Sequence, residues 1–130
     1  MQQIKIFSPA SVSNVCCGFD VLGFSIEGIG DELIISKSKS SGVKIKKIIG
    51  YDVPTDELKN TASVAGNALL DYLEIDGGFE IEINKKIKPG SGIGSSASSA
   101  VGSVFGINKL LGEPMKLDDL IQFAMKGEFI

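Results

Sequence analysis

The sequence predicts an α+β domain, a mixed or antiparallel sheet with helices packed on one face. Three observations carry that prediction. Short apolar–polar alternations, the period of a half-buried strand, dominate the first fifty residues and return at Phe79, Ile81 and Ile83. Apolar residues at helical spacing occur only after residue 60, so the helices come late in the chain. The length of 130 residues with 43% hydrophobic content suits one domain with a real core and argues against disorder. There is no internal repeat, low-complexity tract or interdomain linker, so residues 1–130 read as a single domain.

Residues 4–8 alternate and form a first strand, followed by a loop of small polar residues over 9–20. Residues 21–26 read as a second strand, with Gly28 and Gly30 as punctuation after it. Residues 32–36 and 43–49 are further strands separated by a turn over 37–42, giving four or five strands in all. Asn60 or Thr61 can cap a helix whose repeat is Val64, Ala65, Ala68, Leu69, Tyr72 and Leu73, stopped by Gly77 and Gly78. A second helix over 96–111 presents Val101, Val104, Phe105, Asn108 and Leu111 on one face, with Ala97, Ala100 and Gly102 allowing close packing. Gly112 ends it, and a third helix begins at 116–119 with Leu117, Leu120, Ile121 and Ala124 turned inward.

Composition excludes several functions. The formal net charge is −3, without the basic patch that nucleic-acid binding requires. Lys44, Lys46 and Lys47 read as the solvated face of a strand. Lys85, Lys86 and Lys88 read either as a solvated turn or as an attractor for phosphate. No segment approaches the roughly 20 apolar residues of a membrane span. The opening residues lack a secretory pattern, and the adjacent Cys16 and Cys17 are too strained to bridge each other, so a reducing cytoplasm is the expected compartment. Nothing nearby lowers a thiol pKa, which favours packing over reactivity for both cysteines. There is no histidine, and all 13 basic residues are lysine. Histidine-based triads, general bases and zinc sites are therefore excluded within this chain, as is the bidentate arginine fork for carboxylates.

The strongest functional signal is Gly90-Ser91-Gly92-Ile93-Gly94-Ser95-Ser96-Ala97-Ser98, which runs directly into a helix. Glycine at alternate positions leaves backbone N–H groups open to a ligand, and serines at a helix start add hydroxyl donors near the positive end of the dipole. Together they make a phosphate cradle. Three glycines in packed structure would cost order, so a merely structural turn explains the pattern poorly. The loop is not a P-loop, because Ser95 follows Gly94 where lysine is required. Nor is it a dinucleotide fingerprint, because Ser95 replaces the third glycine and the following sequence is helix.

The stretch from Pro89 to Ala97 resembles the ATP-phosphate motif of the GHMP kinases, the superfamily that phosphorylates galactose, homoserine, mevalonate and phosphomevalonate. The loop Ser8-Pro9-Ala10-Ser11-Val12-Ser13-Asn14-Val15-Cys16-Cys17-Gly18-Phe19-Asp20 is similar to the N-terminal motif of its homoserine kinase branch, Pro-Ala-Thr-Ser-Ala-Asn-Leu-Gly-Pro-Gly-Phe-Asp. Cys16 and Cys17 depart from the usual Gly-Pro, Ser11 replaces threonine, and the loop proline lies one position late at Pro89 with Lys88 before it.

The resemblance implies the GHMP kinase N-terminal domain, related to domain 2 of ribosomal protein S5, and transfer of the ATP γ-phosphoryl to the hydroxyl of L-homoserine in threonine biosynthesis. It implies ATP-phosphate contacts from Lys88, Pro89, Gly90, Ser91, Gly92, Ile93, Gly94, Ser95, Ser96, Ala97 and Ser98, with Asn60 near the adenine. It implies Mg²⁺ held by Ser96 and Glu128, and the acceptor oriented by Asn14 and Asp20. No residue is assigned as general base. Asn60 reads equally as a helix cap, Glu128 taken alone as a solvated carboxylate, and Asp20 as a turn residue.

A kinase of a zwitterionic amino acid should grip its carboxylate with arginine, and this chain has none. The family places those arginines, a histidine-containing motif and a third glycine-rich motif further on. Residues 1–130 are therefore expected to be the ATP-binding N-terminal part of a protein more than twice as long, with the C-terminal domain absent and little activity alone. The resemblance allows a homodimer of the full-length protein. Two rivals are another GHMP kinase of mevalonate or methylerythritol type, disfavoured by the first loop, and a non-catalytic S5-like RNA-binding module, disfavoured by the net charge.

Overall fold

The computed structural model describes residues 2–12, 24–89 and 95–128. Four strands and three helices follow in the order β1 (Gln3–Val12), β2 (Phe24–Ser38), β3 (Gly42–Ile49), α1 (Thr61–Leu73), β4 (Gly78–Asn84), α2 (Ser95–Leu110) and α3 (Leu117–Glu128). The sheet order is β1-β2-β4-β3. β2 pairs antiparallel with β1 and β4, whereas β3 pairs parallel with β4, so the sheet is mixed. The parallel pair requires a crossover, which α1 supplies.

Two expected strands are one. Residues 24–38 form a single fifteen-residue β2 that runs through Gly28 and Gly30. Gly30 sits in it because β1 comes too close for a side chain. A Cβ there would lie 2.5 Å from the Ser8 carbonyl oxygen and 2.8 Å from the Pro9 Cα. β1 likewise outruns its expected end at residue 8. A bulge between Pro9 and Ser11 absorbs the irregularity, and pairing resumes at Ser11 with Ser25 and Val12 with Phe24. The rest of that predicted loop, with Asn14, Cys16, Cys17 and Asp20, lies outside the described residues.

Strand periodicity builds the core in rows. Ile4, Ile35 and Ile81 lie side by side across β1, β2 and β4, and Ile6, Leu33 and Ile83 form the next row. The β2 and β4 members are fully buried, each stabilising by about 1.5–3 kcal/mol relative to exposure. α1 and α2 cover this face, and α3 packs on those two helices. α2 lies close against it through glycines one turn apart: a Cβ at Gly102 would meet Leu33 at 3.0 Å, and one at Gly106 would meet Ile35 at 2.3 Å. α1 packs beside α2, where the Ser103 hydroxyl donates to the Ala62 carbonyl at 2.7 Å. The free edge of β3 is closed locally by Asn67, whose amide accepts from the Val43 N–H and donates to the Val43 carbonyl. Lys44, Lys46 and Lys47 are exposed as expected; a bulge between Ile45 and Lys47 places two lysines in succession on the surface.

Helix faces differ from expectation. α1 stops at Glu74, which takes the left-handed conformation at φ 55°, and Gly78 is already the first residue of β4. On α2 the buried residues include Ala100, Ser103, Val104, Ile107, Asn108 and Leu110, while Val101 is half exposed. On α3 Leu120, Phe123 and Ala124 face inward, whereas Leu117 and Ile121 are 65% and 58% exposed. The cause is the breadth of the apolar stripe on α3, which also includes Met125. Periodicity alone does not choose which edge of so wide a stripe meets the core. Tyr72, expected inward, is mostly exposed and packs its ring against Phe123 at 5.2 Å.

Candidate phosphate-loop site

A third row crosses β1, β2 and β4 beyond the two apolar ones, and it is polar. Ser8 pairs with Asp31 in the β1–β2 register. The β2–β4 ladder pairs Leu33 with Ile83 and Glu32 with Asn84, and one further step of that register sets Asp31 opposite Lys85. Both residues continue the inward phase of their strands, so a carboxylate and an ammonium are carried into the core. The side chain of Asp31 is 0% exposed and that of Lys85 2%.

Such a pair is tolerated only if its hydrogen-bonding capacity is filled. Lys85 Nζ donates to Asp31 Oδ2 at 2.6 Å and to Ser99 Oγ at 3.1 Å. Asp31 Oδ1 accepts from the backbone N–H groups of Lys86 and Ile87 at 2.8 and 3.0 Å. Ser98 Oγ lies within hydrogen-bond distance of both Asp31 Oδ2, at 3.1 Å, and the Ser8 carbonyl, at 3.0 Å; the Ser8 hydroxyl donates to the Ser98 carbonyl at 2.7 Å. Among the described residues no buried side-chain polar atom is left without a partner. Removing one charged partner of such a pair strands the other in the core, at a cost of about 3–5 kcal/mol.

The cluster joins the two ends of the glycine loop. Lys85, Lys86 and Ile87 lead out of β4 toward it, and Ser98 and Ser99 belong to the first turns of α2 just after it. Lys85 is therefore neither a solvated turn residue nor an exposed phosphate attractor, because its inward phase on β4 and the Asp31 carboxylate hold it in the core. Lys86, Lys88 and Pro89 are exposed, and Ala97 is partly buried. Ser98 is buried and spends its hydroxyl within the cluster.

Gly90, Ser91, Gly92, Ile93 and Gly94 lie outside the described residues. Ser95 and Ser96 occupy the first turn of α2, and Glu128 closes α3; the roles expected of their side chains also fall outside what is described. α2 and α3 are joined by a six-residue connection, 111–116, pinned by Asn108, whose amide donates to the Met115 carbonyl and accepts from its N–H. They line a common groove in which Val101 and Phe105 meet Leu117, Ile121 and Ala124. The two helices are thus packed together across this short connection. Among the described residues no three acidic or cysteine side chains gather as a metal cluster.

Asn60 caps α1, its oxygen accepting from the Ala62 N–H at 2.9 Å and its amide donating to the Pro54 carbonyl at 2.7 Å. It is buried, so the cap reading holds.

Sequence reasoning missed Asp31. The signal was available in the alternation itself: Phe79, Ile81, Ile83, Lys85 and Ile87 share one phase, as do Asp31, Leu33 and Ile35. Opposite charges at the ends of two inward phases predict a buried pair.

Residues 59–130 match the family described as GHMP kinases N terminal domain. A homoserine kinase from Chloroherpeton thalassium is 44% identical to the whole of this chain, which covers 44% of that protein. One from Xanthomonas campestris is 39% identical, again over the whole chain and 41% of its own length. Among solved structures, the homoserine kinase from Cytophaga hutchinsonii superposes with a TM-score of 0.94 at 49% identity, over 99% of this chain and 42% of that one. The mevalonate kinase of Methanococcus jannaschii shares the fold at a TM-score of 0.70 and 19% identity, over 97% of this chain and 46% of that one. The chain therefore spans about two-fifths of the length of the homoserine kinases it matches. With the mixed sheet, the late helices and the glycine loop entering α2, these matches place the chain in the GHMP kinase family, as its N-terminal domain.

Proposed function

We propose that this chain is the ATP-binding N-terminal portion of a homoserine kinase, a longer protein that transfers the γ-phosphoryl of ATP to the hydroxyl of L-homoserine in the cytoplasm. The observation that carries the reading is the 49% identity and TM-score of 0.94 to a homoserine kinase, against 19–20% and 0.70 for two mevalonate kinases. The first loop, with Asn14 and Gly18-Phe19-Asp20, favours the same branch.

Phosphoryl transfer asks the protein for positioning and charge neutralisation rather than covalent chemistry. Backbone N–H groups of residues 90–94 would approach the phosphates, with hydroxyls of Ser95 and Ser96 at the helix start. Lys86 and Lys88, both exposed beside the loop, would add positive potential. Asn14 and Asp20 would orient the acceptor, the carboxylate meeting its ammonium. Ser96 and Glu128 would hold Mg²⁺: one hydroxyl and one carboxylate suit a cation that takes oxygen ligands and completes its shell with water and phosphate. The ion would neutralise phosphate charge during transfer. The adenine-side role of Asn60 remains compatible with its cap, through the backbone around it.

The test is ADP formation by the intact protein with L-homoserine and, separately, with mevalonate. Turnover with homoserine alone is expected. Asp20→Ala should raise the KM for homoserine far more than that for ATP, and Ser96→Ala should lower kcat with little change in homoserine KM. Turnover with mevalonate in place of homoserine would sink the assignment, as would equal effects of Asp20→Ala on both substrates.

A further inference from the structure

We propose that Asp31 is a positioning residue for the phosphate loop, fastening the strand exit and the helix entry so that the glycine-rich segment between them is held at a fixed span. The proposal rests on the reading of residues 90–94 as the ATP-phosphate loop.

The argument is one of connectivity. Asp31 comes from β2, 54 residues before Lys85 and 67 before Ser98. Its two oxygens divide the work. Oδ1 takes the two consecutive N–H groups of Lys86 and Ile87, fixing the backbone that leads into the loop. Oδ2 takes Lys85 Nζ and lies against Ser98 Oγ, and Lys85 Nζ continues to Ser99 Oγ, fixing the helix that leads out. Ser8 locks that helical turn from β1, through its hydroxyl to the Ser98 carbonyl and its own carbonyl facing the Ser98 hydroxyl.

The ten residues 88–97 are thus closed at both ends by one buried carboxylate. Glycine has more backbone freedom to lose on ordering than any other residue. A loop whose ends are pinned has less of it left to lose when its amides close on a phosphate. Because Lys85 is neutralised by Asp31, the clamp adds no net charge of its own to the phosphate site. Its contribution is geometry, which should be read in nucleotide affinity rather than in recognition of the acceptor.

The experiment uses the intact protein and a non-hydrolysable ATP analogue with Mg²⁺, so that nucleotide affinity is measured without turnover. Asp31→Asn keeps the shape but presents an amide N–H₂ to a nest of donors. It is expected to weaken analogue binding about tenfold or more, the scale of a disrupted buried hydrogen-bond network, while the KM for homoserine stays within about twofold. Ser8→Ala removes only the bracing hydroxyl and should weaken analogue binding about threefold, the scale of a single hydrogen bond. This variant decides the matter if Asp31→Asn does not fold. A merely structural role lowers the active fraction and the melting temperature but leaves the analogue Kd of the folded protein unchanged, and that result overturns the proposal. So does an equal loss of affinity for analogue and homoserine. A wild-type protein that binds the analogue but does not phosphorylate homoserine fails the acceptor reading alone. One that does not bind the analogue overturns the nucleotide reading and the clamp together.

Discussion

The Asp31–Lys85 and Lys109–Glu113 pairs are almost the same length, 2.6 and 2.7 Å, and have almost nothing else in common. The first lies in the core with further donors and acceptors on both partners. The second spans one turn at the end of α2 with side chains 38% and 57% exposed. The Lys5–Glu32 pair at 3.3 Å and the Lys46–Glu82 pair at 3.7 Å resemble the second. Distance therefore says little about what an ion pair contributes. An exposed pair gains little over the water it displaces, whereas a buried one carries a desolvation penalty that only a complete set of partners offsets.

The sharpest way to break this comparison is Asp31→Ala, which leaves Lys85 buried without its counter-charge. A loss of about 3–5 kcal/mol is expected in urea unfolding of the intact protein. A loss below about 1 kcal/mol would equate the buried pair with the exposed ones. Replacing both partners by apolar residues, Asp31→Leu with Lys85→Met, should be markedly less destabilising than Asp31→Ala, because no buried charge remains. Nucleotide affinity should not return with the stability, since the two backbone N–H groups still lack their acceptor. Asn60→Ala removes a neutral cap and a bond to the Pro54 carbonyl, and about 1–2 kcal/mol is expected by the same measurement. Glu113→Ala should stay within about 0.5 kcal/mol and shrink further in high salt. A larger effect there would mean that the surface pair does more than its exposure allows.

Much of the architecture was legible because a strand with one buried face writes its period into the chain. Phe79, Ile81 and Ile83 marked β4, and the run of apolar residues from Val64 to Leu73 marked α1. Two of the readings that failed share a cause. Gly28 and Gly30 suggested an ending because glycine usually punctuates strands, but at Gly30 the glycine answers a long-range demand, the close approach of β1. The inner edge of α3 was set by where it meets α1 and α2 rather than solvent, and a stripe containing Leu117, Leu120, Ile121, Phe123, Ala124 and Met125 is compatible with more than one edge. At the site, Gly90, Gly92 and Gly94 were conspicuous because a motif is contiguous. Asp31 was not, because its meaning depends on residues 54 to 67 positions away.

That separation has a consequence for the order in which the protein becomes competent. During synthesis Asp31 emerges well before Lys85 and Ser98, and the contacts that join them close long chain loops, which are slow to form. The β1–β2 pairing and the helices can form from nearer neighbours, but the fastening of the glycine segment must wait until β4 has docked beside β2. If residues 90–94 hold a nucleotide as proposed, that capacity arrives as one of the last steps of folding, and a chain interrupted before α2 lacks the helix end of the fastening.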